Sequence, residues 1–283
     1  MNARSKYKSR LYMLTGILLF SILIRVFVGQ PCFIPSSSME NIIYEGDYVW
    51  MSKLSYGAIL PKCFADIPLL NIFTWNNFLR EVDEKNDWGY HRMVGLKRPS
   101  IYDIAVFNSD SNPRLLIVKR IVGLPGDTVA IVNGNLQVNG QFLKQPPKVK
   151  RTKYDEPVSF PHNTLWTNHN YGPIVIPSAG VKINLDKDNY SWVKWVAERE
   201  GNLIFFDGNC FYCNGEKVSC YQYKENYYFV LGDNRKNSLD SRYNGFVSES
   251  NLEGTINYIL FSVDREAFLG FSFRIGRLLK KIQ

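Results

Sequence analysis

An apolar run near the N-terminus constrains this chain more than any other feature. Residues 11–24 are largely apolar, Arg25 interrupts them, and residues 26–28 resume the run. About 20 apolar residues span a bilayer, and an arginine near the outer end can extend to the interface. A cleaved signal peptide is the alternative, but Phe27, at the third position before a cut at Gln30, does not fit the small residue expected there. The sequence therefore predicts an uncleaved transmembrane anchor over residues 11–30.

The excess positive charge lies at the two ends of the chain. The formal net charge is +8, and the first ten and the last ten residues together carry eight Lys and Arg without an Asp or Glu. The remainder is balanced, so it lacks the basic face expected of a nucleic-acid-binding domain. Basic ends beside a neutral body favour contact with anionic lipid. The cations in residues 1–10 place the N-terminus in the cytoplasm and everything after residue 30 outside.

Strand patterns dominate the chain beyond the anchor. They are β-branched or aromatic and bounded by Gly, Asn, Asp or Pro. They read DYVWMSK (47–53), DIAVFN (103–108), RLLIVKRIVG (114–123), DTVAIVNGNLQVNG (127–140), NLIFFDGNCFYCNG (202–215), NYYFVLGDN (226–234) and TINYILFSVD (255–264). The segments at 133–140 and 207–215 resemble each other and predict strand–turn repeats of an antiparallel sheet. We therefore predict a mainly β extracytoplasmic domain over residues 31–267.

Two stretches depart from this strand pattern. Residues 58–99 and 144–200 mix apolar and charged residues, and we predict that they form a smaller inserted subdomain. Helical periodicity is weak outside the anchor, the segment NNFLREVDEK (76–85) and the C-terminus.

The five cysteines do not indicate a disulfide scaffold in a chain of this length. Cys210, Cys213 and Cys220 leave three interpretations open: core or strand thiols, a Cys210–Cys220 bridge, or a metal site. A metal site would require a second spaced pair of ligands, which the sequence lacks. The segment instead has the pattern of a hairpin that turns at Asn214-Gly215. Strand thiols are therefore the favoured interpretation.

The C-terminal residues 268–283 combine apolar and basic residues. Apolar side chains recur at helical spacing at Phe268, Phe271, Ile275, Leu278 and Ile282, with Arg274, Arg277 and Lys281 to one side. This pattern is typical of an amphipathic helix in an anionic interface. The alternative is a strand followed by a solvated basic end.

Three serines follow the anchor directly, in the segment PSSSMENII (35–43). A serine hydroxyl is a weak nucleophile until a base takes its proton. The three histidines, His91, His162 and His169, all lie in the two departing stretches. Lys119 is the other candidate base, because a strand would place it on one face with apolar neighbours, and burial lowers the pKa of a lysine. A lysine at a strand edge is the alternative.

Four motifs resemble, in order, the sequence boxes of bacterial type I signal peptidases. They are PSSSMENIIYEGDYVWMSKLSYG (35–57), DIAVFN (103–108), VKRIVGLPGD (118–127) and YYFVLGDNRKNSLDSRYNGFV (227–247). Members of this family are membrane-bound serine endopeptidases that remove signal peptides from exported preproteins. The resemblance implies an antiparallel β-sheet catalytic domain tethered by one N-terminal transmembrane helix, with no cofactor and no metal. It also implies the bacterial inner membrane as location, with the catalytic domain on the periplasmic side.

The resemblance also implies partners and site residues. The partners are preprotein signal peptides with small residues before the cut, and membrane lipid; the oligomeric state stays open. Ser38 matches the nucleophile and Lys119 the general base, while the Ser36 hydroxyl and the Ser38 N–H match the oxyanion hole. Ser238 matches the residue that orients the lysine. The residues that stabilise the site from behind are Asp233, Arg235, Asp240 and Arg242. The pockets for the first and third residues before the cut match Ile34, Pro35, Ser36, Met39, Ile43, Ile117 and Val118.

Some positions differ from the family pattern, and two other functions compete with this one. The differing positions are Ser37, Asn41, Ile42, Ile43, Lys236 and Asn244, none of which is a catalytic group. A self-cleaving Ser–Lys regulator would share the dyad, but such proteins are cytoplasmic and the anchor argues against one. A non-catalytic membrane-bound β scaffold would explain the anchor and the strands but not the settings of Ser38 and Lys119.

Overall fold

The computed structural model describes residues 3–72, 75–112, 115–146, 148–264 and 272–282. The α-helices are α1 (Ala3–Leu23), α2 (Asn77–Lys85), α3 (Tyr190–Arg199) and α4 (Ser241–Asn244). The strands are β1 (Gly29–Phe33), β2 (Asp47–Ser52), β3 (Ile104–Asn108), β4 (Leu116–Gly123), β5 (Thr128–Val132), β6 (Asn135–Val138), β7 (Gln141–Phe142), β8 (Tyr171–Val175), β9 (Lys182–Asn184), β10 (Ile204–Phe206), β11 (Phe211–Cys213), β12 (Glu216–Val218), β13 (Cys220–Gln222), β14 (Tyr227–Leu231), β15 (Val247–Ser248), β16 (Leu252–Asp264), β17 (Ser272–Phe273) and β18 (Lys280–Lys281). All seven strand patterns read from the sequence are strands, which confirms the mainly antiparallel β fold.

The predicted anchor is helical. Helix α1 continues into a π-helical segment, Ile24–Val28, and the segment Tyr7–Val28 is long and apolar enough to cross a membrane. Strand β1 begins at Gly29, directly after this segment. The folded domain is therefore joined to the anchor without a linker.

A nine-stranded antiparallel sheet forms the larger part of the domain. Its order is β1-β2-β16-β3-β4-β14-β15, and β17 and β18 also pair with β16. Side chains alternate between the two faces of a strand, so Val106 of β3 packs in one apolar cluster while its neighbours Ala105 and Phe107 pack in another. Both faces of this sheet are therefore covered, and Ser38 follows its first strand.

A second core lies beside this sheet. It contains a four-stranded sheet of order β7-β6-β5-β8, and its buried cluster joins these strands to helix α3 and to Phe229 of β14. The predicted subdomain boundary at 144–200 does not follow this core, because β8 pairs with β5. Sequence analysis also missed α3, although its buried residues Trp192, Val193, Val196 and Ala197 repeat at helical spacing.

The two similar segments are hairpins with the same turn chemistry. Strands β5 and β6 join at Asn133 and Gly134, which have φ of 51° and 75°, and strands β11 and β12 join at Asn214 and Gly215, with φ of 51° and 89°. Asn-Gly suits such turns because both central residues take positive φ. All five cysteines are free, and Cys213 and Cys220 lie in strands.

The amphipathic helix predicted at the C-terminus is wrong for residues 272–282, and Phe268 and Phe271 lie outside the described residues. Strands β17 and β18 pair with β16, and a short 3-10 turn, Ile275–Arg277, lies between them. Arg277 is not on a basic outer face: its guanidinium donates to the buried carboxylate of Asp47 and to the Ile42 carbonyl oxygen at 2.9 Å. A buried carboxylate requires such a partner. The pairing of Arg277 with Asp47 therefore holds the C-terminal tail against the folded domain.

Candidate active site

The three serines lie in a turn between β1 and β2. Strand pairing continues to the Ile34 N–H, which donates to the Asp47 carbonyl oxygen at 2.9 Å, and the Ile43 N–H donates to the Met39 carbonyl oxygen at 3.0 Å. Met39 and Ile43 are fully buried in the apolar cluster beneath the turn. Their burial fixes the turn and leaves Ser38 at the edge of the core, with 9% of its surface exposed.

Lys119 of β4 meets Ser38 although three strands, β2, β16 and β3, lie between β1 and β4 in the sheet order. Its Nζ donates to Ser38 Oγ at 2.8 Å and to the Val118 carbonyl oxygen at 3.2 Å. Ile117 and Ile121, two positions before and after Lys119 in β4, pack together in one apolar cluster, so the strand face that Lys119 shares is apolar. Burial lowers the pKa of Lys119, and the carboxylates of Asp240 and Asp233 oppose that shift only in part.

Ser36 completes the immediate surroundings of Ser38. Ser36 Oγ lies 3.4 Å from Ser38 Oγ. Among the hydrogen bonds of the described residues, none uses the Ser38 backbone N–H as donor. A hydroxyl and a free N–H thus stand beside the candidate nucleophile.

Hydrogen bonds from the loop after β14 hold the serine turn in place. The Asn234 N–H donates to the Ser38 carbonyl oxygen at 3.0 Å, and Asn234 Nδ2 donates to the Ser37 carbonyl oxygen at 3.2 Å. Asn237 Nδ2 donates to Ser37 Oγ at 2.8 Å. Neither asparagine was predicted from the sequence. The signal was their place in the polar segment GDNRKNS (232–238), but the serine turn lies almost 200 residues earlier in the chain.

Two buried ion pairs hold this loop. Arg242 donates to the two oxygens of Asp240 at 2.8 and 2.9 Å, and Asp240 Oδ2 also accepts the Gly232 N–H at 3.0 Å. Arg120 donates to the two oxygens of Asp233 at 2.8 and 2.7 Å. Arg120, which was not predicted from the sequence, is adjacent to Lys119 and lies on the opposite face of β4. Asp240 and Arg242 thus pair within the loop itself.

Arg235 lies in the same loop and has few polar partners. It is buried, and its Nε has no hydrogen-bond partner among the described residues. Burial, reinforced by the nearby Arg242 charge, lowers the pKa of Arg235 to about 10. Its backbone N–H donates to the Lys150 carbonyl oxygen at 2.9 Å, so its position is set by the main chain.

Ser238 comes close to the dyad without making the expected hydrogen bond. It is buried, and its Oγ has no partner among the described residues. A Cβ added to Gly232 would lie 2.1 Å from Ser238 Oγ and 2.8 Å from the Ser38 carbonyl oxygen. Gly232, another residue that sequence analysis missed, therefore allows Ser238 to approach the back of Ser38.

Replacing Gly232 should disturb the site through this contact. Gly232→Ala would force the Ser38 backbone or the Ser238 side chain to move, and misplacement of about 1 Å can cost about 100-fold in rate. We expect a loss of peptide cleavage of about that size, measured as kcat/KM. Gly276→Ala is the matched control, because a Cβ there meets nothing within 4 Å. Equal activity in the two variants would contradict the steric role of Gly232.

The predicted pocket residues do not all lie on one surface. Ile34, Met39 and Ile43 are buried in the cluster beneath the serine turn, and Val118 packs partly against it. Ile117 packs against the cluster on the other face of the sheet. Pro35 and Ser36 are exposed beside Ser38. Only part of the predicted set is thus open to a ligand next to the nucleophile.

The rings of His91 and His169 contact carbonyl oxygens of other residues than Ser38 and Lys119. His91 Nδ1 lies 3.4 Å from the Gly89 carbonyl oxygen and His169 Nε2 lies 3.2 Å from the Thr152 carbonyl oxygen. Among the described residues, no group of three or more His, Cys, Asp or Glu side chains is placed to hold a metal ion.

A family model and the relatives found by sequence agree on one family. The family model described as signal peptidase, peptidase S26, matches residues 8–261. Signal peptidase I of Buchnera aphidicola is 29% identical over 260 residues, covering 86% of this chain and 73% of that protein. Signal peptidase I of Helicobacter pylori is 26% identical, covering 88% of this chain and 80% of the relative. Signal peptidase I of Rickettsia prowazekii is 26% identical, covering 92% and 83%. A solved signal peptidase I from Enterococcus faecalis is 25% identical over 57% of this chain and 98% of its own, with a TM-score of 0.28.

Proposed function

Since the chain belongs to the signal peptidase family, peptidase S26, we propose that it cleaves signal peptides with Ser38 as nucleophile and Lys119 as general base. The protein is a membrane-anchored serine endopeptidase that removes signal peptides from preproteins. The observation that carries the assignment of the dyad is the 2.8 Å contact between Lys119 Nζ and Ser38 Oγ, made by two buried side chains.

The dyad supports a two-step hydrolysis. A neutral Lys119 accepts the Ser38 proton as Oγ attacks the scissile carbonyl carbon, and the resulting ammonium returns the proton to the leaving amine. Water then attacks the acyl-enzyme ester, with Lys119 again as base, and releases Ser38. The Ser36 hydroxyl and the Ser38 N–H donate to the oxyanion that forms in each step.

The open edge of β4 suits an extended substrate. Strand β14 pairs with β4 only between Arg120 and Gly123, so residues 116–119 keep one edge without a partner strand among the described residues. A signal peptide bound there as an added strand would present its scissile bond next to Ser38. Lys119 would stand at the end of that strand.

The anchor supports a single orientation. The cations before residue 11 favour a cytoplasmic N-terminus, so the catalytic domain would lie on the periplasmic side of the bacterial inner membrane. Ser38 lies ten residues after Val28, so at most about 35 Å of chain separates it from the membrane surface. A nucleophile held there meets cleavage sites just beyond the apolar region of a signal peptide.

A synthetic peptide with an Ala-x-Ala cleavage site provides the direct test. Purified protein should cut it after the second alanine, and a peptide with leucine in place of that alanine should react at least about tenfold more slowly. The physical reason is steric, because the surface beside Ser38 rests on the closely packed Met39 and Ile43 and resists enlargement. Mass spectrometry of the products gives the cut site. Equal rates on the two peptides would contradict a small pocket, and no cleavage of either would contradict the function.

The pH dependence should follow Lys119. The amine must be neutral to act as base, so cleavage should rise with pH through a lysine pKa that burial has moved below its ordinary value of 10.5. At a pH below that lowered value the lysine is charged and activity should vanish. The measurement is kcat/KM across pH 5–11 with a peptide that has no titrating groups. A profile flat across this range would rule out a lysine base.

A further inference from the structure

Residues 148–150, which we call the insert segment, pack against the turn that carries Ser38. The Asn41 side-chain amide donates to the Lys148 carbonyl oxygen at 2.9 Å, a contact between residues 107 positions apart in the chain. Asn41 lies three residues after Ser38. The insert segment belongs to the stretch 144–200 that departs from the strand pattern, so part of that stretch reaches the candidate active site.

Lys150 joins the insert segment to the same turn a second time. Its ammonium group lies 2.9 Å from the carboxylate of Glu40, the residue before Asn41. The Glu40 carboxylate also accepts Asn234 Nδ2 at 3.2 Å, so it links the turn both to the insert segment and to the loop after β14. Exposed ion pairs contribute little to stability, so this pair acts on the local geometry more than on the stability of the fold.

The main chain of Lys150 lies alongside the loop after β14. Its N–H donates to the Asp233 carbonyl oxygen at 2.8 Å, and its carbonyl oxygen accepts the Arg235 N–H at 2.9 Å. These bonds form a parallel bridge between Lys150 and Asn234, and the Asn234 N–H donates to the Ser38 carbonyl oxygen at 3.0 Å. Three lengths of main chain therefore lie side by side, and the last of them contains Ser38.

Asn41 takes a backbone conformation that few residues adopt. Its φ is 86°, a value that residues with a Cβ seldom take and that asparagine tolerates better than most. The hydrogen bond to Lys148 favours this conformation over other turn conformations. Met39 and Ile43 fix the buried side of the turn, whereas Glu40 and Asn41 are only partly buried. The insert segment therefore restrains the part of the turn that the apolar core does not reach.

We propose that the insert segment positions Ser38 for attack on the substrate. It holds Glu40 and Asn41 on one side of the nucleophile and the loop that carries Asn234 on the other. Among the described residues, the hydrogen bonds of Ser38 Oγ and Lys119 Nζ do not involve the insert segment, so it acts through the main chain of the turn. The inference rests on the proposed function, because it takes Ser38 as the nucleophile.

Asn41→Gly removes the amide contact without straining the turn, because glycine adopts positive φ readily. In the full chain, kcat for the Ala-x-Ala peptide should fall about tenfold. This loss is smaller than the cost of about 100-fold for a misplacement of about 1 Å, since the contacts with Asn234 remain. KM should change by less than about twofold, because the open edge of β4 is untouched. Thermal unfolding should shift by less than about 4 °C.

Asn163→Gly is the matched control for this variant. Asn163 is an exposed asparagine with a φ of 63°, so the same change is made at a comparable backbone conformation outside the turn. This control should keep the native kcat. Equal kcat in Asn41→Gly and Asn163→Gly would overturn the proposal. A lower melting temperature of Asn41→Gly at native kcat would also overturn it, because the contact would then serve stability alone.

Lys150→Glu provides a second arm, because it places two carboxylates in contact and separates the insert segment from Glu40. The value of kcat should fall at least about threefold, and Glu40→Lys combined with Lys150→Glu should recover at least about half of that loss. Lys153→Glu is the matched control, since Lys153 is exposed and its replacement changes the net charge equally. Equal losses in Lys150→Glu and Lys153→Glu, or no recovery in the double variant, would overturn the proposal.

The pH profile separates positioning from a change in the base. Burial lowers the pKa of Lys119, and the carboxylates of Asp240 and Asp233 oppose that shift. Asn41→Gly alters none of these groups, so it should lower the plateau of kcat and leave the midpoint of the profile unchanged. A shifted midpoint would overturn the proposal.

Ser38→Ala, measured alongside, keeps this inference distinct from the proposed function. Cleavage by the native protein and none by Ser38→Ala would support the function, and a native kcat in Asn41→Gly would then overturn the role of the insert segment alone. Cleavage by Ser38→Ala at the native rate would contradict both, because Ser38 would not be the nucleophile that the insert segment positions.

Discussion

Lys119→Arg is expected to abolish peptide cleavage as completely as Ser38→Ala, by about 10⁴-fold or more in kcat/KM. Arginine keeps the positive charge and much of the length of lysine but cannot give up its proton near neutral pH, so it cannot act as base. Both variants should stay folded and membrane-bound, because the carboxylates of Asp240 and Asp233 partly offset the burial of a charge at position 119 and Ser38→Ala removes only a hydroxyl. The measurement is cleavage of the Ala-x-Ala peptide together with thermal unfolding.

The histidines supply the control for this experiment. Replacing His91, His162 and His169 together by glutamine should leave most activity intact, because among the described residues no histidine side chain is hydrogen-bonded to Ser38 or Lys119. The rings of His91 and His169 lie beside the Gly89 and Thr152 carbonyl oxygens, and the His162 carbonyl oxygen accepts from Ser191. Substantial cleavage by Lys119→Arg would mean that another group activates Ser38. Loss of chemistry in a folded histidine-free protein would lead to the same conclusion.

Asp240→Ala is expected to lower the free energy of unfolding by about 3–5 kcal/mol, because it leaves the Arg242 guanidinium buried without its counter-charge. Arg242 is 1% exposed and Asp240 is 2% exposed, so water cannot replace the lost partner. The variant also removes the acceptor of the Gly232 N–H, which lies next to Ser238 and the Ser38 backbone. Denaturant unfolding gives the stability, and activity should fall with it.

A surface pair provides the comparison. Glu198→Ala breaks a contact with Lys194 at 3.9 Å in which both side chains are exposed, and such pairs contribute about 0.5 kcal/mol or less. A similar loss in Asp240→Ala and Glu198→Ala would contradict the role of burial. The Asp240 contribution should also fade in acid. Burial raises the pKa of its carboxyl, but the Arg242 charge and hydrogen bonds, the Gly232 N–H and the Arg235 charge together outweigh burial and leave the pKa below 3.8. The stabilisation is therefore present above that value and is lost as pH falls through the lowered pKa.

Much of the fold followed from short-range patterns. The Asn-Gly turns at 133–134 and 214–215 favour positive φ at both positions, so the hairpins were predictable from a few residues. The strands followed from β-branched runs bounded by turn residues, and the anchor from its length. Helix α3 was also readable from its spacing, and was missed because the charged residues among its apolar positions obscured it.

The candidate site was predictable where a motif combines with a physical requirement. A lysine among apolar strand residues must be neutral or paired to be buried, and that requirement, together with the resemblance to signal peptidases, selected Lys119. The partners of the turn were not predictable in this way. Asn234 and Asn237 are polar residues in a polar loop. Their neighbours in the sequence do not show whether the side chains hydrogen-bond to Ser37 or point into solvent.

The sequence by itself determined the anchor, the strands and hairpins, and which residues we propose as nucleophile and base. The tertiary structure decided what those residues contact. Ser38 and Lys119 are 81 residues apart and meet at 2.8 Å only because the sheet brings the turn after β1 to the middle of β4. The same dependence explains the C-terminal tail, where the buried carboxylate of Asp47 draws Arg277 inward. Local periodicity reports which side chains share a face, whereas the direction of that face depends on partners distant in the chain.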